Sequence, residues 1–147
     1  MAALDIHHVA IKTADLEQTV RFYTDILGAR QVQRPEFDFP GAWLNLGSTM
    51  FHLYAGKAAV RPDGSVPMGS AAVDHVAITA SDFDGMRRLM QARGLDWREF
   101  DVPSFGLWQL FVHDPNGVLI ELNFKAASEP AGAKGPDGTR RYIPGAF

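Results

Sequence analysis

The chain has 147 residues, with 14 Lys or Arg against 17 Asp or Glu for a net charge of −3, 46% hydrophobic and 11% aromatic residues, and no cysteine. That length suits one domain with a sizeable core, the scattered cations give no electrostatic footprint for nucleic acid, and the lack of sulfur ligands means that any metal must be held by imidazole and carboxylate. No stretch approaches the ~20 apolar residues of a membrane span, and the segment Met1-Ala2-Ala3-Leu4-Asp5 lacks the basic-then-apolar pattern of a leader, so a cytoplasmic protein away from membranes is the default expectation.

The first predicted strand contains His8-Val9-Ala10-Ile11-Lys12, in which Val9 and Ile11 oppose His8, Ala10 and Lys12. Alternation sends His7 to the face opposite His8. A helix follows, capped by Asp15 with Gln18 three residues on, and Leu16, Val20, Tyr23 and Leu27 recur at helical spacing before Gly28 stops it. Strand-like runs come next at Val32 to Arg34, Ala42 to Leu46 and Met50 to Tyr54, the last two joined through Gly47-Ser48-Thr49. Residues 57–70, with Pro62, Gly64, Pro67 and Gly69, read as a linker. The same order then repeats: a strand at His75 to Thr79, a helix carrying Asp82, Phe83, Met86, Leu89 and Met90 up to Gly94, and strands at Trp97 to Phe100, Leu107 to His113 and Val118 to Phe124, with Asp114-Pro115-Asn116-Gly117 as a strong hairpin turn. Residues 126–147 are rich in Gly, Pro and Ala and read as an irregular tail, with Tyr142, Ile143 and Phe147 available to dock.

The repeat carries chemistry in register. His8-Val9-Ala10-Ile11 returns as His75-Val76-Ala77-Ile78 after 67 residues, and Phe51-His52-Leu53 matches Ile120-Glu121-Leu122 after 69. Two similar modules that each present two ligand-type side chains at matched positions predict one metal site made of His8, His52, His75 and Glu121. Strand alternation agrees: with Phe51 and Leu53 under the helix, Met50, His52 and Tyr54 take the other face, as do Leu119, Glu121 and Asn123 in the second copy. A glutamate among Leu119, Ile120 and Leu122 is costly to bury unless paired or metal-bound. Trp43 and Asn45 share one face of their strand and are pocket candidates, Trp43 being equally suited to a plain core. Phe37 and Phe39, near Pro35 and Pro40, suit either an apolar wall at the cavity mouth or an ordinary anchored loop. The register of Trp108 and Gln109 stays open, and His113 is given no role.

The paired strand-helix-three-strand modules, the His-Val-Ala-Ile first strand, Phe22-Tyr23 ahead of Leu27-Gly28, and Asp114-Pro115-Asn116-Gly117 ahead of Ile120-Glu121-Leu122 resemble the vicinal oxygen chelate superfamily, which includes glyoxalase I, methylmalonyl-CoA epimerase, extradiol dioxygenases, fosfomycin-resistance transferases and bleomycin-binding proteins. The resemblance covers residues 4–125 and implies an α+β fold of two tandem βαβββ modules forming a half-open, barrel-like sheet around a metal cavity: one domain over 1–125, with module one at 4–56, the linker at 57–70 and module two at 71–125. It places the family's ligand positions on the same four residues, although many glyoxalase I members carry a glutamate where His52 stands. Lys12 matches a basic residue common four positions after the first ligand, whereas Gly56 replaces the asparagine that completes the glutathione signature. A homodimer is also implied, and unpaired sheet edges fit it.

Three imidazoles and one carboxylate suit nickel, cobalt, zinc, iron or manganese. Such an ion, with two open positions, chelates a small molecule bearing two neighbouring oxygens and acidifies the C–H beside a carbonyl. The expected function is therefore a divalent-metal-dependent lyase or isomerase of glyoxalase type, acting on a small α-hydroxycarbonyl or related bidentate substrate, with Glu121 as ligand and proton carrier. Lys12, Trp43, Asn45, Phe37 and Phe39 are the candidate substrate contacts. Two alternatives remain: a non-haem iron(II) ring-cleaving dioxygenase, because His8, His75 and Glu121 alone form a two-histidine, one-carboxylate triad, and a metal-free drug- or metabolite-binding protein.

Overall fold

The computed structural model describes residues 1–147 and divides into two compact units, Met1–Met68 and Gly69–Phe147. The first contains β1 (His8–Lys12), α1 (Leu16–Arg21), β2 (Arg30–Val32), β3 (Gly41–Leu46) and β4 (Thr49–Tyr54); the second contains β5 (Val76–Ala80), α2 (Phe83–Ala92), β6 (Trp97–Val102), β7 (Leu107–His113) and β8 (Leu119–Lys125). The sheets have matching orders, β1-β4-β3-β2 and β5-β8-β7-β6. In each, the strand ahead of the helix runs parallel to the last strand and the remaining pairs are antiparallel. The architecture is thus α+β with the βαβββ plan repeated, and neither sheet closes into a barrel.

Local chemistry sets the helix starts. The Asp15 carboxylate accepts from the Gln18 N–H at 2.9 Å and the Asp82 carboxylate from the Gly85 N–H at 3.0 Å, each satisfying one of the orphan donors of a first turn. Past Arg21 the first helix widens into a π-helical turn, Phe22–Ile26, which buries Phe22, Tyr23 and Ile26 together. Gly28, at φ 73°, then reverses the chain, and the Ala29 N–H returns to the Tyr23 carbonyl at 2.9 Å. The helix side of the first sheet is a packed layer of Ile11, Ala42, Leu44, Phe51 and Leu53, with Tyr23 against Phe51 at 4.8 Å between ring centroids.

One strand lies elsewhere than the sequence suggests. β2 is Arg30–Val32, sharing only Val32 with the expected Val32–Arg34. Its position is fixed by β3, against which Arg30 pairs with Asn45 and Val32 with Trp43. Arg34 instead donates to the Phe39 carbonyl at 3.2 Å.

Residues 129–142 clasp the second unit. The Glu129 carboxylate accepts from the backbone N–H groups of Asp82 and Phe83 at 3.1 and 2.7 Å, at the start of α2. Further on, the Glu99 N–H donates to the Arg140 carbonyl at 2.6 Å and the Tyr142 N–H to the Glu99 carbonyl at 2.8 Å, which adds a short parallel bridge to the outer edge of β6. The Glu99 side chain is 3% exposed and held by both Nε and Nη2 of Arg87 at 2.8 Å and by the Trp97 indole N–H at 2.9 Å, while Arg87 also donates to the Gly135 carbonyl at 2.7 Å. One guanidinium therefore ties α2, β6 and the clasp together. Arg87→Ala strands a buried carboxylate and is expected to cost ~3–5 kcal/mol, a fall of roughly 10 °C in the melting temperature; a thermal melt within about 1 °C of the parent contradicts this role.

Candidate functional site

Each sheet has one face under its helix and one face carrying the predicted site residues. On the first, cross-strand pairing puts Ala10 beside His52, Lys12 beside Tyr54, Trp43 beside His52 and Asn45 beside Met50, so these side chains share a face. The His52 ring lies between two parallel rings, His8 at 3.9 Å and Trp43 at 4.3 Å between centroids. Phe37 stacks on Phe39 at 5.5 Å, and Arg34 lies over both rings. That pair continues the aromatic surface, Phe37 toward Trp43 at 6.5 Å and Phe39 toward Tyr54 at 5.2 Å. Trp43 is half-buried on this face and so is not part of the helix-side core.

His7 is exposed, in keeping with a surface or ligand-supporting residue, but its direction departs from expectation. It lies beside His8, with the two Nδ1 atoms 2.9 Å apart, because β1 begins only at His8 and strand alternation does not govern the residue before it.

His52 is buried and its Nε2 has no hydrogen-bond partner. Burial, reinforced by His8, His7 and Arg34, holds its pKa below the ordinary histidine value, so the ring is neutral near pH 7 and keeps a nitrogen lone pair. A buried, unpartnered imidazole nitrogen is costly for a fold and suits a group that bonds to it.

In the second unit His75 stands immediately before β5, and its Nε2 lies 3.0 Å from Glu121 Oε2. Its other nitrogen, Nδ1, is 2.7 Å from Asp74 Oδ1. With Nδ1–H donated to Asp74, Nε2 turns a lone pair toward the Glu121 carboxylate, a pairing that a cation bound to both groups would complete. Glu121 Oε1 is held from the opposite side, accepting from the Gln109 amide at 2.8 Å and the Asn123 amide at 2.7 Å. Gln109 also donates to Asn123 Oδ1 at 2.9 Å. Glu121 is thus buried with both oxygens engaged. The structure gathers no group of three or more His, Asp or Glu side chains that could hold a metal ion; the predicted ligands occur as two pairs, His8 with His52 and His75 with Glu121. By donor chemistry, both pairs fit a borderline divalent ion.

Gln109 is the site residue that sequence reasoning leaves unassigned. The signal for it lay in the hairpin: pairing of His113 with Leu119 places Gln109 opposite Asn123 and Phe111 opposite Glu121. Trp108 takes the helix side, edge-on to Phe83 at 5.6 Å. The missing asparagine at position 56 also has a physical reason. Gly56 sits at φ 57°, where a Cβ would fall 2.9 Å from Pro40 Cδ, so any side chain there meets both backbone strain and a clash.

The profile of the Glyoxalase/Bleomycin resistance protein/Dioxygenase superfamily matches residues 5–122. Glyoxylase I 4 of Arabidopsis thaliana is 26% identical over 128 residues, which cover 80% of this chain and 68% of that protein. The mitochondrial methylmalonyl-CoA epimerase of Homo sapiens is 30% identical over 131 residues, covering 80% of this chain and 72% of the enzyme. Of two plant lactoylglutathione lyases that also match, the chain spans 42% of the length. Among solved structures, lactoylglutathione lyase from Agrobacterium tumefaciens superimposes with a TM-score of 0.64 at 20% identity, over 87% of this chain and 98% of that one, a likeness of fold.

Proposed function

Because this chain belongs to the Glyoxalase/Bleomycin resistance protein/Dioxygenase superfamily, we propose that it is a divalent-metal-dependent lyase or isomerase of glyoxalase type, moving a proton next to the carbonyl of a small substrate with two neighbouring oxygens. The observation that carries this reading is the setting of Glu121, a buried carboxylate braced through Oε1 by two amides and facing an imidazole through Oε2. Its relatives include proteins named for lyase and epimerase activities, both of which fit that chemistry.

The proposed donors are His8, His52, His75 and Glu121. When bound, a divalent ion supplies Lewis-acid polarisation of the substrate carbonyl. The remaining work falls to side chains. Glu121 Oε2, the oxygen not held by amides, accepts the proton from carbon and returns it. Gln109 and Asn123 keep the carboxylate from turning, so that its geometry is set before substrate arrives. Asp74 fixes the ring of His75 through Nδ1. On the first unit, Trp43, Phe37 and Phe39 present apolar ring surface, with Asn45 and Lys12 as the polar groups of the same face.

Metal content, hydrogen exchange and oxygen uptake test this function. Protein purified without chelators is expected to carry nickel, cobalt, zinc, iron or manganese and to exchange the α-hydrogen of a small α-hydroxycarbonyl compound in deuterated water, with no oxygen uptake on catechols. Oxygen consumption on a catechol would transfer the assignment to a dioxygenase, and absence of both metal and exchange would leave a binding protein. Gln109→Ala, which removes one brace of Glu121, is expected to lower metal affinity or turnover by about 10–100-fold, in the range seen when groups that orient ligands are removed; unchanged values for both would show that the brace has no function.

A further inference from the structure

The clasp that crosses the edge of β6 does not end there. Beyond the bridge at Arg141, the chain turns onto the site face of the second sheet and lays the Tyr142 ring flat on Phe111, with centroids 3.6 Å apart and planes 9° apart. Phe111 is the cross-strand partner of Glu121, so their Cβ atoms are near neighbours. The His75 ring stands edge-on to Phe111 at 6.4 Å. Tyr142, Phe111 and Leu119 form one buried cluster, with Phe100 and Phe147 packed against it, and Tyr142 is 8% exposed. Directly across Glu121 on the other side, its β5 partner is Ala77, short and exposed. Glu121 is therefore walled on its β7 side and low on its β5 side.

We propose that Tyr142 is a specificity-determining wall of the Glu121 site, filling the space over Phe111 so that a chelating substrate must direct its bulk over Ala77 and away from β7. The substrate class that fits is a vicinal dioxygen compound with a small substituent on the walled side; this rests on the chelation reading given above. The phenol is also held above the ordinary tyrosine pKa, first by burial and then by the carboxylates of Asp74 and Glu121, which agrees with its place beside them. Tyr142 is brought there by a backbone bond to Glu99 and by stacking on Phe111, so the wall belongs to the clasp and not to the repeated plan of the sheets.

The test uses Tyr142→Ala and Tyr142→Leu against Tyr142→Phe, with two bidentate oxygen probes, acetohydroxamate and benzohydroxamate, titrated calorimetrically into nickel-loaded protein. Lowering the wall is expected to improve the affinity for benzohydroxamate relative to acetohydroxamate by at least tenfold in the Ala variant. The Leu variant, which keeps an apolar contact for Phe111, reads the same effect if the Ala variant fails to fold. Tyr142→Phe keeps the ring and is expected to stay within threefold of the parent ratio. In parallel, carbethoxylation of His75 by diethylpyrocarbonate, followed by mass spectrometry on metal-free protein, is expected to quicken at least fivefold in the Ala or Leu variant, with His7 as the internal reference. An unchanged probe ratio together with unchanged His75 reactivity overturns the proposal. If neither hydroxamate binds any variant, the chelation reading fails by itself, and the His75 rates alone then decide whether Tyr142 walls the site.

Discussion

Glu121→Gln is expected to keep the metal and lose turnover by about two to four orders of magnitude, the usual worth of a positioned general base. The substitution preserves volume: with its oxygen at the Oε2 position the amide can still coordinate, and its NH2, at the Oε1 position, is accepted by Gln109 and Asn123 once their own amides turn over. An amide cannot accept the substrate proton. No second carboxylate stands among the neighbours that register assigns to this face: Gln109, Phe111, Asn123, Ala77 and Thr79. Exchange of the substrate α-hydrogen with deuterated water should fall in parallel with turnover. A variant that binds metal, turns over and exchanges at parental rates would place the base elsewhere.

His75→Ala is expected to weaken metal binding by more than about a hundredfold, beyond what removal of an orienting group produces, because it deletes a donor and leaves Glu121 Oε2 without the partner now 3.0 Å away. His113→Ala is the matched control. His113 packs against Phe147 at 4.6 Å and has no proposed ligand role, so its loss should leave metal content unchanged. Metal analysis after gel filtration in a weak chelator reads both. Equal metal in the two variants would remove His75 from the donor set.

The parts of this molecule legible in its sequence are those governed by local periodicity. Alternation in His8–Lys12 and Thr49–Tyr54 assigns faces correctly because each strand has one side under a helix. The two Asp caps and Gly28 act within a single turn of chain, so they can be read without knowing the fold. The repeat adds a second copy of each signal. What escapes the sequence is set by partners distant along the chain. β2 has too few residues to declare its own pattern, and its register comes from β3. His7 follows the geometry of a strand that has not yet begun. Gln109 acquires its role only once the hairpin register is fixed, since a one-residue slip would turn it to the opposite face. Tyr142 lies in a segment rich in Gly and Pro with no period at all; stacking on Phe111 and the two backbone bonds that Glu99 makes, one to Arg140 and one to Tyr142, give it a place.

His52, orphaned at Nε2, and Glu121 are the proposed donors to a divalent ion. The most direct measurement is an X-ray structure of the protein crystallised with nickel or zinc at full occupancy, with anomalous data to place the ion. His52 Nε2 is expected within the roughly 2.0–2.1 Å range of a metal–imidazole bond, with a Glu121 oxygen at a comparable distance. An ion bound with His52 Nε2 well outside that range and still unpartnered would contradict this assignment.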